Sequence, residues 1–230
     1  MFGSVESLGA AVNSPRFEGS PTVSADERTL FFTSNRTGGH EHLYVSTRRR
    51  PQDPWGEAVS LGAAVNHPTA HDNAVRLSYD GNVLFFSSNR TGFGSSDLYV
   101  TRRRSADQAW APPENLGPLV NTEAFEPFPT PSSDGNTLYF NRSTTFDSPD
   151  SDIWVATCSH EDEPWGAPER LPEPVRGPRA DLAPAISVDG LASYFAYDRP
   201  GNIGLIDIWV ARRPSASEPW AAPANLGPGV

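Results

Sequence analysis

The chain is nearly without sulfur: one cysteine, Cys158, and one methionine in 230 residues. A lone cysteine excludes an internal disulfide and any zinc site built on paired cysteines. Long apolar runs are missing too. No stretch approaches the roughly 18 residues that a membrane-spanning helix requires, so no membrane insertion is expected. Residues 1–20 have neither a basic start nor an apolar core, so no signal peptide is read there. The expectation is a cytoplasmic chain, or a mature or excised form of a bacterial periplasmic or secreted one. Positive charge is scarce: 18 Lys and Arg face 28 Asp and Glu, a formal net charge of −10. That balance argues against nucleic acid as a partner, which calls for a basic surface. Helix signals are also absent. No segment carries an apolar stripe at a 3.6-residue period, and 23 prolines leave little room for helices.

What is present is a repeat. Leu8 to Asn13 reads LGAAVN, and so does Leu61 to Asn66. The motif returns as LGPLVN at Leu116 to Asn121, as LPEPVR at Leu171 to Arg176, and as LGPGV from Leu226 to Val230. The leading leucines stand 53, 55, 55 and 55 residues apart. A fixed period of this size marks a repeat architecture. The repeats run 8–60, 61–115, 116–170 and 171–225 within one domain, 1–230. Residues 1–7 and 226–230 are partial repeats available for closure.

Each repeat has the same internal order. A carboxylate opens it (Glu18, Asp72, Glu126, Asp181), eight residues before a turn aspartate (Asp26, Asp80, Asp134, Asp189). A short strand lies between them. The turn is Asp-Gly in three copies and Asp-Glu in the first. Asp-Gly between apolar runs predicts a hairpin whose central residues both have positive φ. An aromatic second strand follows (TLFFTS, VLFFSS, TLYFN, ASYFAY), then a loop opened by Asn-Arg or Asp-Arg, then a third strand (HLYVST, DLYVTR, DIWVAT, DIWVAR). A polar loop ends in Trp55, Trp110, Trp165 or Trp220, and a short fourth strand reaches the leucine motif. Four strands per repeat in up-and-down order predict an all-β fold: a four-bladed β-propeller, four antiparallel strands to a blade, closed by a terminal outer strand. Either Met1–Asn13 or Trp220–Val230 supplies that strand, and the other lies spare.

The run P-x-x-S-x-D-G-x-x-L-x-F-x-S-x-R-x-G, followed by D-L/I-Y/W-V, resembles the WD40-like propeller repeat of TolB-type bacterial proteins. It covers essentially the whole chain in four copies. The first copy departs from it with Glu27 for Gly and His42 for Asp. The resemblance implies the propeller fold. It leaves function open, because that family spans partner-binding modules, sensor domains and appendages of peptidases and lyases.

In a propeller the loops before strand one and between strands two and three share a face. Each blade there collects an acid, an arginine and a second polar group: Glu18, Arg36, His42; Asp72, Arg90, Asp97; Glu126, Arg142, Asp152; Asp181, Arg199, Asp207. One reading is a set of ion pairs pinning the loops. The other is a ring of carboxylates at the channel mouth. Period-two alternation then lines the channel with Glu18, Ser20, Thr22; Asp72, Ala74, Arg76; Glu126, Phe128, Thr130; and Asp181, Ala183, Ala185. Four carboxylates about one axis are oxygen ligands suited to Ca²⁺ or another hard cation. The ligand-binding candidates are Glu18, Asp72, Glu126 and Asp181, with Arg76 and Phe128, which break the repeat. His40, Glu41, His42 and His67 are candidate metal ligands. His71, Asp72 and Arg76 are catalytic candidates, His71 with Asp72 as an acid–base pair. No G-x-S-x-G nucleophile motif occurs. The expected function is a binding module for a protein segment or a small polar ligand at the face with the carboxylate row. The alternatives are a lyase or hydrolase, with or without a metal, on the blade-one and blade-two side of the channel, and a structural domain of a larger envelope protein. The period-55 tryptophans are expected to be packing anchors.

Overall fold

The computed structural model describes residues 6–146, 148–160, 163–197 and 200–228. It is a four-bladed β-propeller with no helix among the described residues. Blade one comprises β1 (Glu18–Val23), β2 (Thr29–Ser34), β3 (His42–Thr47) and β4 (Val59–Ser60). Blade two comprises β5 (Asp72–Leu77), β6 (Val83–Ser88), β7 (Asp97–Arg102) and β8 (Glu114–Asn115). Blade three has β9 (Thr130–Pro131), β10 (Thr137–Arg142), β11 (Asp152–Thr157) and β12 (Glu169–Arg170). Blade four has β13 (Asp181–Ile186), β14 (Ala192–Tyr197), β15 (Asp207–Arg212) and β16 (Ala224–Asn225). Every sheet runs antiparallel in sequence order. β9 is short because Pro127, Pro129 and Pro131 remove the N–H groups a longer ladder needs.

The C-terminal segment completes blade four through β16, which pairs with β15. The N-terminal leucine motif is not spare. Val12 packs with Leu30, Phe32, Tyr44 and Trp55 in the core of blade one. The motif follows the fourth strand and leads into the next blade. Asn66 shows why it ends in asparagine: its Oδ1 accepts the Leu43 N–H at 2.8 Å and its Nδ2 donates to the Leu43 carbonyl at 3.0 Å. Asn121 does the same to Leu98 at 2.8 and 2.9 Å. One side chain thus satisfies a backbone donor and acceptor of the preceding blade, which buried strands demand.

Apolar clusters run from blade to blade. Phe31 and Leu43 pack with Val65, Val75, Leu84 and Phe86. Phe85 and Leu98 pack with Val120, Leu138 and Phe140. Tyr139 and Ile153 pack with Val175, Phe195 and Trp209. Each buried Phe, Leu or Ile contributes about 1.5–3 kcal/mol of transfer free energy, so the blades hold one another rather than standing alone. Among the described residues no such cluster joins blade four to blade one. Ile208 is accordingly 43% exposed, while its counterparts Leu43, Leu98 and Ile153 are 0–2% exposed. Ile203, Leu205 and Ile206 beside it are exposed as well.

The hairpin turn differs from the expected one. Only its last residue has positive φ: Glu27, Gly81, Gly135 and Gly190. The aspartate before it acts through its side chain. Asp80 Oδ1 accepts the Ser78 hydroxyl and the Asn82 N–H, and the Ser–x–Asp pattern repeats in every blade.

Candidate functional site at the channel mouth

The carboxylate row is the first feature to place. Asp72, Glu126 and Asp181 are fully buried and Glu18 is half-buried. Each bonds the chain just before it. Glu18 accepts the Ser14 N–H at 2.9 Å, Asp72 the His67 N–H at 2.7 Å, Glu126 the Thr122 N–H at 3.2 Å and Asp181 the Gly177 N–H at 3.1 Å. In three blades an arginine completes the pin. Arg36 pairs with Glu18 at 3.4 Å and Arg142 with Glu126 at 2.9 Å, and Arg90 pairs with Asp72. The same guanidinium groups reach the carbonyls of Val12, Val65 and Val120 in the leucine motif. Asp198 and Arg199 lie outside the described residues. Burial opposes the ionised form of Glu18, but hydrogen bonds from Ser14 and Ser34 and the charge of Arg36 outweigh it and hold the carboxyl below its ordinary range. For Glu126 burial prevails over Thr122 and Arg142, and the carboxyl is pushed up.

The carboxylates therefore close the loops of their own blades instead of pointing at the axis. The cause is a β-bulge. Gly19 pairs with Thr33 and Thr22 with Phe31, so three steps on β1 match two on β2. Blades two and four repeat this between Asn73 and Arg76 and between Leu182 and Ala185. The bulge residues have left-handed backbones: Ser20 (φ 49°), Ala74 (53°), Phe128 (58°) and Ala183 (50°). An extra residue reverses the alternation. Residues beyond the bulge (Thr22, Arg76, Thr130, Ala185) line a chamber of about 280 Å³ at the turn end of the channel.

At the other end the bulge itself faces a mouth cavity of about 140 Å³. Ser20, Ala74 and Phe128 form its floor with Phe17, Phe125 and Phe146 around them. Phe125 and Phe146 meet edge to face at 5.7 Å. Phe17 and Phe146 are half or more exposed. The polar side is Glu41, whose Oε2 accepts the Asn73 amide at 3.0 Å. Thr33 borders the same cavity, its hydroxyl fully buried and without a protein partner.

The histidines gather beside this mouth without forming a metal centre. His40 and His71 meet edge to face at 4.9 Å. His71 Nδ1 accepts the Glu41 N–H at 3.3 Å and lies 3.7 Å from Glu41 Oε2. His42 Nε2 faces the His67 carbonyl at 3.1 Å, and His67 Nδ1 accepts the Thr69 N–H at 3.3 Å. Among the described residues no three His, Cys, Asp or Glu side chains converge on a point where an ion would sit. His71, Asp72 and Arg76 are likewise not assembled. His71 sits with Glu41, Asp72 is committed to Arg90, and Arg76 lines the turn-end chamber.

The tryptophans are packing anchors. Trp55, Trp165 and Trp220 are buried. Arg48, Arg103 and Arg213 stack on Trp55, Trp110 and Trp220 at 4.1–4.4 Å. The aromatic mouth is what sequence reasoning missed, apart from Phe128. Its signal is the residue just before the carboxylate, aromatic in three repeats: Phe17, His71 and Phe125.

No family model and no curated protein matches the sequence. Solved structures do. TolB from Acinetobacter baumannii superposes with a TM-score of 0.54 at 17% identity, over 90% of this chain and 45% of its own. An endo-arabinase from Bacteroides thetaiotaomicron gives 0.64 at 16% identity, over 97% of this chain and 85% of its own. The α-L-arabinofuranosidase PaAbf62A from Podospora anserina, solved with cellotriose, gives 0.58 at 14% identity over 89% and 66%. The likeness shows the fold, a β-propeller, shared with TolB proteins and with carbohydrate-active enzymes. The chain spans less than half of the Acinetobacter TolB, and one fold serves both that protein and carbohydrate-active enzymes.

Proposed function

We propose that the protein is a binding module that takes a protein segment at the channel mouth. The observation that carries this reading is the cluster of Phe17, Phe125, Phe128 and Phe146, contributed by blades one and three and open to solvent. Exposed aromatics around a concavity are typical anchors of recognition surfaces. The cavity is sized for one apolar or aromatic side chain, and the Glu41 carboxylate at its edge can accept a backbone N–H of the segment that carries it. The polar groups nearby support binding rather than turnover: Asp72 and Glu126 are tied to arginines, and the histidine–carboxylate–arginine set is dispersed.

Isothermal titration against a peptide panel with central Phe, Leu or Trp tests the reading. Binding tighter than about 1 mM is expected, weakened at least tenfold by Phe125→Ala. Silence across the panel, or binding unaffected by Phe125→Ala, would reject it.

A further inference from the structure

The turn-end chamber holds a charge that the fold does not use. Arg76 is half-buried there, and its one protein hydrogen bond runs from Nη1 to the carbonyl of its neighbour Val75 at 3.0 Å. Among the described residues no carboxylate lies within ion-pair distance of it. The other inward arginines are all employed. Arg36, Arg90 and Arg142 each pair with an acid, and Arg103 and Arg213 bond turn carbonyls while stacked on tryptophan. Thr22, Thr130 and Ala185 occupy the equivalent position in the other blades, so this cation is a departure in one repeat. Burial without an acid lowers the guanidinium's proton affinity, as expected for an uncompensated cation.

The surroundings define a complementary group. A guanidinium presents five N–H donors in a planar fork that fits a carboxylate in bidentate fashion. Thr22 Oγ1 accepts the Leu77 N–H at 3.3 Å, which leaves its own proton to donate. The Thr130 hydroxyl is spent on the Pro184 carbonyl at 2.6 Å. The Ser132 and Ser187 hydroxyls are spent on Asp134 and Asp189. The turns around the chamber carry Asp26, Asp80, Asp134 and Asp189, all held below the ordinary carboxyl range and so ionised at neutral pH. The negative charges on these turns repel a dianion more strongly than a monoanion.

We infer that the turn-end chamber is a binding site for a small monocarboxylate, with the Arg76 guanidinium clasping the carboxylate and the Thr22 hydroxyl adding a third donor. A free organic acid and the C-terminal carboxylate of a peptide share this chemistry. The site is separate from the aromatic mouth and does not depend on that reading.

The test is titration calorimetry at constant ionic strength with butyrate, hexanoate, acetyl-Gly-Gly with a free C terminus, its amide, and inorganic phosphate. The wild type is expected to bind at least one carboxylate probe, and Arg76→Gln to lose at least tenfold in affinity. Butyrate or hexanoate alone binding assigns the site to organic acids; free but not amidated acetyl-Gly-Gly assigns it to peptide termini. Arg76→Lys, which keeps the charge and loses the fork, should be intermediate, and it serves in place of the Gln variant if that one does not fold. Failure of every carboxylate, unchanged affinity in the variants, equal binding of the amide, or tighter binding of phosphate would each overturn the inference.

Discussion

Arg142 Nε donates to Glu126 Oε1 at 2.9 Å, while Oε2 of the same fully buried carboxylate has no protein partner. One oxygen is stabilised and the other carries a desolvation cost. Glu126→Gln keeps an acceptor for Arg142 and removes the buried charge, so its stability should fall within about 1 kcal/mol of wild type. Glu126→Ala leaves Arg142 facing an apolar gap and should cost about 3–5 kcal/mol. The pH dependence separates the charge from the packing. The folded-state pKa is raised above its ordinary 4.5, so the native state binds the extra proton. This group's contribution is complete below pH 4.5 and is lost as pH rises through the raised value. Urea midpoints from pH 4 to 8 should show wild type losing ground to Glu126→Gln with rising pH. Parallel curves would show that burial does not control this carboxyl.

Glu27 stands where the other three turns have glycine, with φ of 57° against 70–79°. A side chain in the left-handed region costs about 1–2 kcal/mol, partly offset by the greater freedom of unfolded glycine. The Glu27 side chain is exposed, and the contact that matters, Arg48 Nε to the residue-27 carbonyl at 2.8 Å, is made by backbone. Glu27→Gly should therefore stabilise the protein by about 1 kcal/mol in chemical denaturation.

Cys158 occupies the place of Arg48, Arg103 and Arg213, seven residues before the tryptophan. Those arginines stack on the indole and bond the carbonyl of residue 27, 81 or 190. In blade three the sulfur lies 4.0 Å from the equivalent Gly135 carbonyl, and a cavity of about 120 Å³ borders Trp165. Acceptor, ring and space are thus in place. Cys158→Arg should raise stability by about 0.5–1 kcal/mol, read as a higher urea midpoint at unchanged slope.

The blades were legible because a 55-residue period, alternating apolar strands and turn aspartates all agree, and agreement across levels is what specifies a fold. The tryptophan anchors followed from the same period. The direction of the carboxylates did not. It depends on a bulge whose positive-φ residues are Ser20, Ala74, Phe128 and Ala183, and no glycine announces it. With the bulge unseen, alternation carried Glu18 and Thr22 to one side of β1, whereas Glu18 turns to Arg36 and Thr22 to the channel. The mouth cluster was illegible for another reason. Phe17, Phe125 and Phe146 are distant in sequence and meet only when blades one and three face each other across the axis.

Phe128 joins the backbone of the bulge to the proposed binding surface. Its φ of 58° is one that bulky residues rarely adopt, and the other blades place Ser or Ala there. Strain at a cavity wall is a mark of function when the surrounding fold enforces it, as the prolines on either side and the Asn141 N–H bond to the Pro127 carbonyl at 2.9 Å do here. Two substitutions separate conformation from side chain. Phe128→Ala and Phe128→Gly both remove the ring, so both should weaken peptide binding at the mouth at least tenfold. Only glycine relieves the left-handed backbone, so Phe128→Gly should be the more stable of the two by about 1 kcal/mol. Denaturation and calorimetry on the same pair of variants check this. Equal stabilities would mean that the bulge imposes no strain, and undiminished affinity in both would remove the ring from the binding surface.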